Sequence, residues 1–136
     1  MIPAAFVRQS RHMLELRRTL DGIRDNVGSM LEEAQVYIGL NDADTKEQLL
    51  ETEEYISTLK SICRTYQVPF SFDVVEGGYV HDDGEYTEET SIVLTFIDVS
   101  QETVDAIAKE LCTLFNQESV LITVDRIRVR SVRAPS

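Results

Sequence analysis

Hydrophobic positions divide this chain into two halves with different periods. From Met13, apolar residues recur at alternating spacings of three and four: Leu16, Leu20, Ile23, Val27, Met30, Ala34 and Tyr37. Such a rhythm is a heptad seam and predicts a helix from about Phe6 to Tyr37. Gly22 and Gly28 lie off the seam. Each costs about 1 kcal/mol in a helix, so a kink or an early break at either is the alternative to one continuous helix. Gly39 and Asn41 supply the stop. A second helix is expected from a cap at Asp44, with Glu47 at its third position and a seam of Leu49, Ile56, Leu59, Cys63 and Tyr66. Pro69 ends it. Two such helices joined by a short polar turn predict an antiparallel hairpin over residues 1–68. The first helix outruns the second by roughly two turns. That overhang needs a covering surface, either the second half of the chain or another subunit.

After Pro69 the period becomes two. Phe70, Phe72 and Val74 alternate as a strand, and "EGGYVHDDGEYTEE" reads as a turn-rich hairpin. "SIVLTFIDV" is apolar on both faces, as in a central strand. Ser100 caps a helix whose inner face is Val104, Ile107, Ala108, Leu111 and Phe115. "SVLITV" then begins a last strand. The expected fold is one α+β domain over residues 1–136, with the helical hairpin preceding a small, mostly antiparallel β-β-α-β part over 69–136. So few strands leave open edges. Together with the overhang, they lead us to expect a homo-oligomer.

Charge changes the picture at one place. The chain carries 24 acidic and 13 basic residues, a net charge of −11, which argues against non-specific DNA binding. Yet "RIRVRSVR" places Arg126, Arg128, Arg130 and Arg133 close together near its end. Alternation with Ile127 and Val129 puts the first three on one strand face. Two readings stay open. The arginines pair with the protein's own carboxylates across the sheet, or they form a comb of donors for a phosphate-bearing ligand. Asn116 and Gln117, at the junction of the third helix and the last strand, either end the helix or read a base edge or ribose. Tyr79, Tyr86 and Phe115 are the aromatic candidates for stacking.

Other chemistry is sparse. No apolar run is long enough to span a bilayer and no secretory signal is evident, so a cytoplasmic protein is expected. Cys63 and Cys112 lack CxxC spacing and read as buried free thiols. His81, Asp82 and Asp83 read as a solvated hairpin tip, and no metal or other cofactor is expected. Glu85, Glu88 or Glu89 would supply a general-base carboxylate, but no nucleophile accompanies them and no catalytic set is assigned.

Gly77-Gly78-Tyr79, Asp83-Gly84-x-Tyr86, Glu89-x-Ser91-x-Val93-Leu94 and the run Leu111-Cys112-x-x-Phe115-Asn116-Gln117-Glu118-Ser119-Val120-Leu121 resemble small phage-encoded proteins. One family is the Thoeris anti-defence sponges, which sequester cyclic ADP-ribose signals. The other is the phage S-adenosylmethionine lyases. The resemblance covers about Gly77 to Ile122. The sponge resemblance implies an oligomer in the host cytoplasm that holds a cyclic nucleotide between subunits without cleaving it. Arg126, Arg128, Arg130, Arg133, Asn116, Gln117, Tyr79 and Phe115 are the expected ligand-binding residues. The alternatives are a small enzyme acting on S-adenosylmethionine, or a coiled-coil inhibitor of another protein.

Overall fold

The computed structural model describes residues 28–135. Six elements follow in order: β1 (Ser29–Gly39), α1 (Thr52–Tyr66), β2 (Ser71–Val80), β3 (Tyr86–Ile97), α2 (Gln101–Leu114) and β4 (Leu121–Val129). The strands form one antiparallel sheet in the order β2-β3-β1-β4.

The N-terminal helical hairpin is not what these residues form. The expected first helix up to Val27 lies outside the described residues. Gly28 has φ 78, a left-handed conformation that would break a helix, and Ser29 opens a strand. Ala34, Val36, Ile38 and Leu40 are buried at every second position, while their odd-numbered neighbours are only partly covered. This is the period of a strand with one face on a core. The second helix exists but begins at Thr52, because Asp42 turns the chain back first. Its carboxylate accepts from the backbone N–H of Asp44 and of Thr45, each at 3.0 Å. Glu51 then precedes the helix, its N–H donating to the Glu54 carboxylate at 3.1 Å. Leu49, placed on the expected seam, is 57% exposed. At the far end Gln67 adopts φ 55, and Val68 N–H reaches the Cys63 carbonyl at 3.2 Å before Pro69.

The strand, strand, helix, strand order of the second half is present. Ser100 caps α2, its hydroxyl accepting from Thr103 N–H at 3.2 Å. Both helices lie on one face of the sheet. Tyr55, Leu59, Ile62 and Cys63 of α1 and Val104, Ile107, Ala108 and Leu111 of α2 pack onto Val36, Ile38, Ile92, Leu94 and Phe96. Burial pushes the Cys63 thiol up to about 11. In the folded protein at pH 8 it should therefore resist alkylation by iodoacetamide and react only after unfolding, which mass spectrometry will show.

The opposite face carries the odd-numbered residues of β1 and β3 and, among the described residues, has no helix over it. The β2–β3 hairpin runs beyond the core to a tight turn. There His81 N–H reaches the Glu85 carbonyl at 2.8 Å, Glu85 N–H reaches Asp83 Oδ1 at 2.9 Å, and Gly84 takes φ 86.

Candidate functional site

Three pieces of chain meet at one end of the face opposite α1 and α2 and enclose a cleft of about 540 Å³. The sheet supplies Tyr37 and Gly39 from β1, Val75, Gly77 and Tyr79 from β2, and Thr87, Glu89 and Ser91 from β3. These positions alternate strictly, since cross-strand partners in this register share one face. The loops after β1 and before β4 complete the wall with Asp42, Lys46, Gln117 and Glu118.

Glu89 lines the cleft beside Gly39. A Cβ placed on Gly39 would come within 2.5 Å of its Oε1, so the missing side chain at that position makes room for the carboxylate. Glu89 Oε2 accepts the backbone N–H of Asn41 at 3.1 Å. Tyr79, 44% exposed, forms an aromatic wall backed by His81, with ring centroids 4.5 Å apart. Burial, then the negative charge of Glu89 and Glu118, raises the Tyr79 phenol against the opposing effect of Lys46. Tyr79 thus remains a hydrogen-bond donor at neutral pH. Lys46 is, among the described residues, the one Lys or Arg on the wall, and its Nζ pairs with Glu118 Oε1 at 3.2 Å. Asp42, Glu89 and Glu118 against that single cation make the wall formed by the described residues net negative.

The residues expected to bind a ligand separate. Tyr79 and Gln117 line the cleft. Gln117 Nε2 donates to the Asn41 carbonyl at 2.6 Å, and so holds the same loop whose N–H holds Glu89. Asn116 takes φ 48 at the end of α2, and its amide is engaged within the protein. Its Nδ2 donates to Asp42 Oδ1 at 2.8 Å and to Asp44 Oδ2 at 3.0 Å, and its carbonyl accepts from Ala43 at 2.8 Å. The Asn116 amide, followed by the N–H groups of Thr45 and Asp44, holds the Asp42 carboxyl below the ordinary carboxylate range, against the cost of burial. This stabilisation is present at neutral pH and is lost as pH falls below that range. Asn116→Ala should speed hydrogen exchange at the amides of residues 43–45 by roughly tenfold, through loss of a charge-assisted contact. Phe115 is in the core, its ring edge-on to Tyr55 with centroids 4.9 Å apart.

The arginines lie elsewhere. Arg126 and Arg128 pair in register with Glu32 and Met30, while the cleft end of β4 is marked by Leu121 opposite Tyr37. Arg128 lies seven residue steps along the strand from Leu121, roughly 23 Å. Arg130 and Arg133 follow the end of β4. Tyr37, Gly39, Asn41 and Asp42 could not be read from sequence as cleft residues while their stretch was read as the end of a helix and a turn. Glu89 was legible as a carboxylate only.

Among the described residues no helix is long and apolar enough to cross a membrane, and no group of three His, Cys, Asp or Glu could hold a metal ion. The β-α-β-β-α-β order with its interleaved antiparallel sheet defines the ferredoxin-like class. No family model and no curated protein sequence matches the chain. Among solved structures, a phage SAM lyase in complex with S-methyl-5'-thioadenosine is similar at 24% identity and TM-score 0.57, over 74% of this chain and 90% of that one. The same kind of enzyme in its apo state matches at 24% identity and TM-score 0.57, over 78% and 94%. The Bacillus subtilis GlnK–ATP complex matches at 14% identity and TM-score 0.48, over 72% and 82%. The two lyase structures establish the shared fold.

Proposed function

We propose that the cleft binds a positively charged nucleoside of the S-adenosylmethionine type and splits it as a lyase. The observation that carries this reading is the sign of the cleft: among the described residues carboxylates predominate on its wall, and the one lysine there is already paired. A sulfonium suits such a wall, whereas a pyrophosphate would meet like charge. Tyr79 offers a ring face for the adenine. The fold shared with phage SAM lyases adds support at the level of architecture. The chemistry asks little of the protein. Sulfur leaves a sulfonium as a neutral thioether and needs no acid. The remaining carbon fragment takes an internal nucleophile or loses a proton, since a lyase adds no water. The protein's task is to hold the cation, orient it and exclude water.

Incubating the purified chain with S-adenosylmethionine and separating the products by chromatography tests this reading. The expected result is time-dependent appearance of S-methyl-5'-thioadenosine. Intact recovery of S-adenosylmethionine, with cyclic ADP-ribose retained instead, would transfer the function to the second reading, sequestration of a cyclic nucleotide without cleavage. That second reading rests on the exposed comb of Arg126 and Arg128.

A further inference from the structure

We infer that Lys46 reads the carboxylate of the ligand's amino-acid tail, exchanging its resting partner Glu118 for it. The inference rests on the nucleoside reading of the cleft and adds the part of the ligand that decides specificity. S-adenosylmethionine carries a carboxylate and an ammonium on one carbon, besides its sulfonium. The sulfonium suits a wall rich in carboxylates, but the ligand's own carboxylate is repelled by it. Lys46 is, among the described residues, the one Lys or Arg on that wall, and so the one place where the repulsion is relieved. Its position is built. Asn41 bridges to Gln48 across a turn, and within it Asp42 N–H donates to the Glu47 carbonyl and Lys46 N–H to the Asp42 carbonyl, each at 2.8 Å. Lys46 itself takes φ 64, a left-handed conformation that a residue with a side chain adopts only at some cost. Glu118 follows Asn116 and Gln117, whose amides fasten its loop to Asp42 and to the Asn41 carbonyl. Two loops far apart in sequence thus present one cation and one anion 3.2 Å apart. Both side chains are exposed, 52% and 68%, so the pair adds little to stability and opens readily. An α-amino-acid tail matches the opened pair, its carboxylate against Lys46 and its ammonium against Glu118, and leaves no charge without a partner. Lys46 also lies within electrostatic reach of the Tyr79 phenol, which sets the tail's reader beside the ring offered to the adenine.

Calorimetric titration of the full chain with S-adenosylhomocysteine and with its decarboxylated counterpart isolates the carboxylate. The two share the nucleoside, the thioether and the amine, and neither has a sulfonium to be split. The net charge of the wall alone favours the decarboxylated ligand, which is a cation. With Lys46 reading the carboxylate, S-adenosylhomocysteine should instead be the tighter ligand of the wild type. Lys46→Met keeps the stem and removes the charge. It should reverse the order, a change in the affinity ratio of about tenfold or more. Circular dichroism will show whether the variant is folded, and Lys46→Gly, which suits φ 64, serves if it is not. A wild type that binds the decarboxylated ligand as well or better, or a ratio unmoved by Lys46→Met or by Lys46→Gly, overturns the role of Lys46 and leaves the nucleoside reading standing. A wild type that binds neither ligand, nor S-methyl-5'-thioadenosine, overturns the nucleoside reading and this inference with it.

Discussion

Replacing Glu89 with glutamine will lower affinity for S-adenosylmethionine by about ten- to a hundredfold, the range expected when a charge-assisted contact is lost. The substitution preserves shape and the acceptor used by Asn41 N–H, so the fold should be unchanged. What it removes is a negative charge on the wall of the cleft. The same loss should follow from Gly39→Ala by a different route. The new Cβ would fall 2.5 Å from Glu89 Oε1, and the far end of a flexible side chain must move aside. Gly39 is not among the positive-φ glycines, so no backbone strain accompanies the change. A Gly39→Ala protein that melts like the wild type yet binds poorly would place the effect in the cleft. Calorimetric titration of both variants measures it. Unaltered affinity in both would show that Glu89 does not face the ligand.

The second large effect is on stability. Phe96→Ala should destabilise the protein by about 3–5 kcal/mol, the usual cost of removing a buried ring and leaving a cavity. Phe96 is 1% exposed, lies on β3 in the interior of the sheet, and belongs to the core that both helices cover. Since native domains are stable by only about 5–15 kcal/mol, the loss is a large share of the total. Urea unfolding followed by circular dichroism will report it as a lower midpoint. A midpoint within error of the wild type would contradict the packing described for this face.

Sequence and structure agree where the period was unambiguous. Ser100 followed by Val104, Ile107, Ala108 and Leu111 has a cap, a helical spacing and a length that no strand could share. The β2–β3 hairpin was equally legible, because Asp83-Gly84 is strong turn chemistry between two alternating runs. The first half misled for a physical reason. Met30, Ala34 and Tyr37 satisfy a heptad, but Ala34, Val36, Ile38 and Leu40 satisfy a strand, and eleven residues hold both patterns. Pairing decided between them. β1 sits between β3 and β4 and fills their ladders, a long-range interaction that no local window contains. Asp42 rather than Asp44 organises the following turn, because its partner Asn116 is far along the chain.

The site was legible in fragments. Tyr79 and Gln117 were singled out and do line the cleft. Asn116 and Phe115 were singled out beside them, but the structure engages one with the Asp42 turn and the other with the core. The arginines drew attention because they were the exception in an acidic chain. The cleft drew none because its negative charge was the rule. Its wall also depends on β1, so the misread strand concealed Tyr37, Gly39 and Asn41 together.

The central claim is that the cleft recognises positive charge on a nucleoside. Titrating the protein with sinefungin, a non-cleavable S-adenosylmethionine analogue bearing a cationic amine, and with S-adenosylhomocysteine, its neutral thioether counterpart, isolates that charge. The expected result is tighter binding of the cationic ligand by about tenfold or more, a preference that disappears in Glu89→Gln. Equal affinity for the two ligands, or a preference that survives Glu89→Gln, would contradict the account.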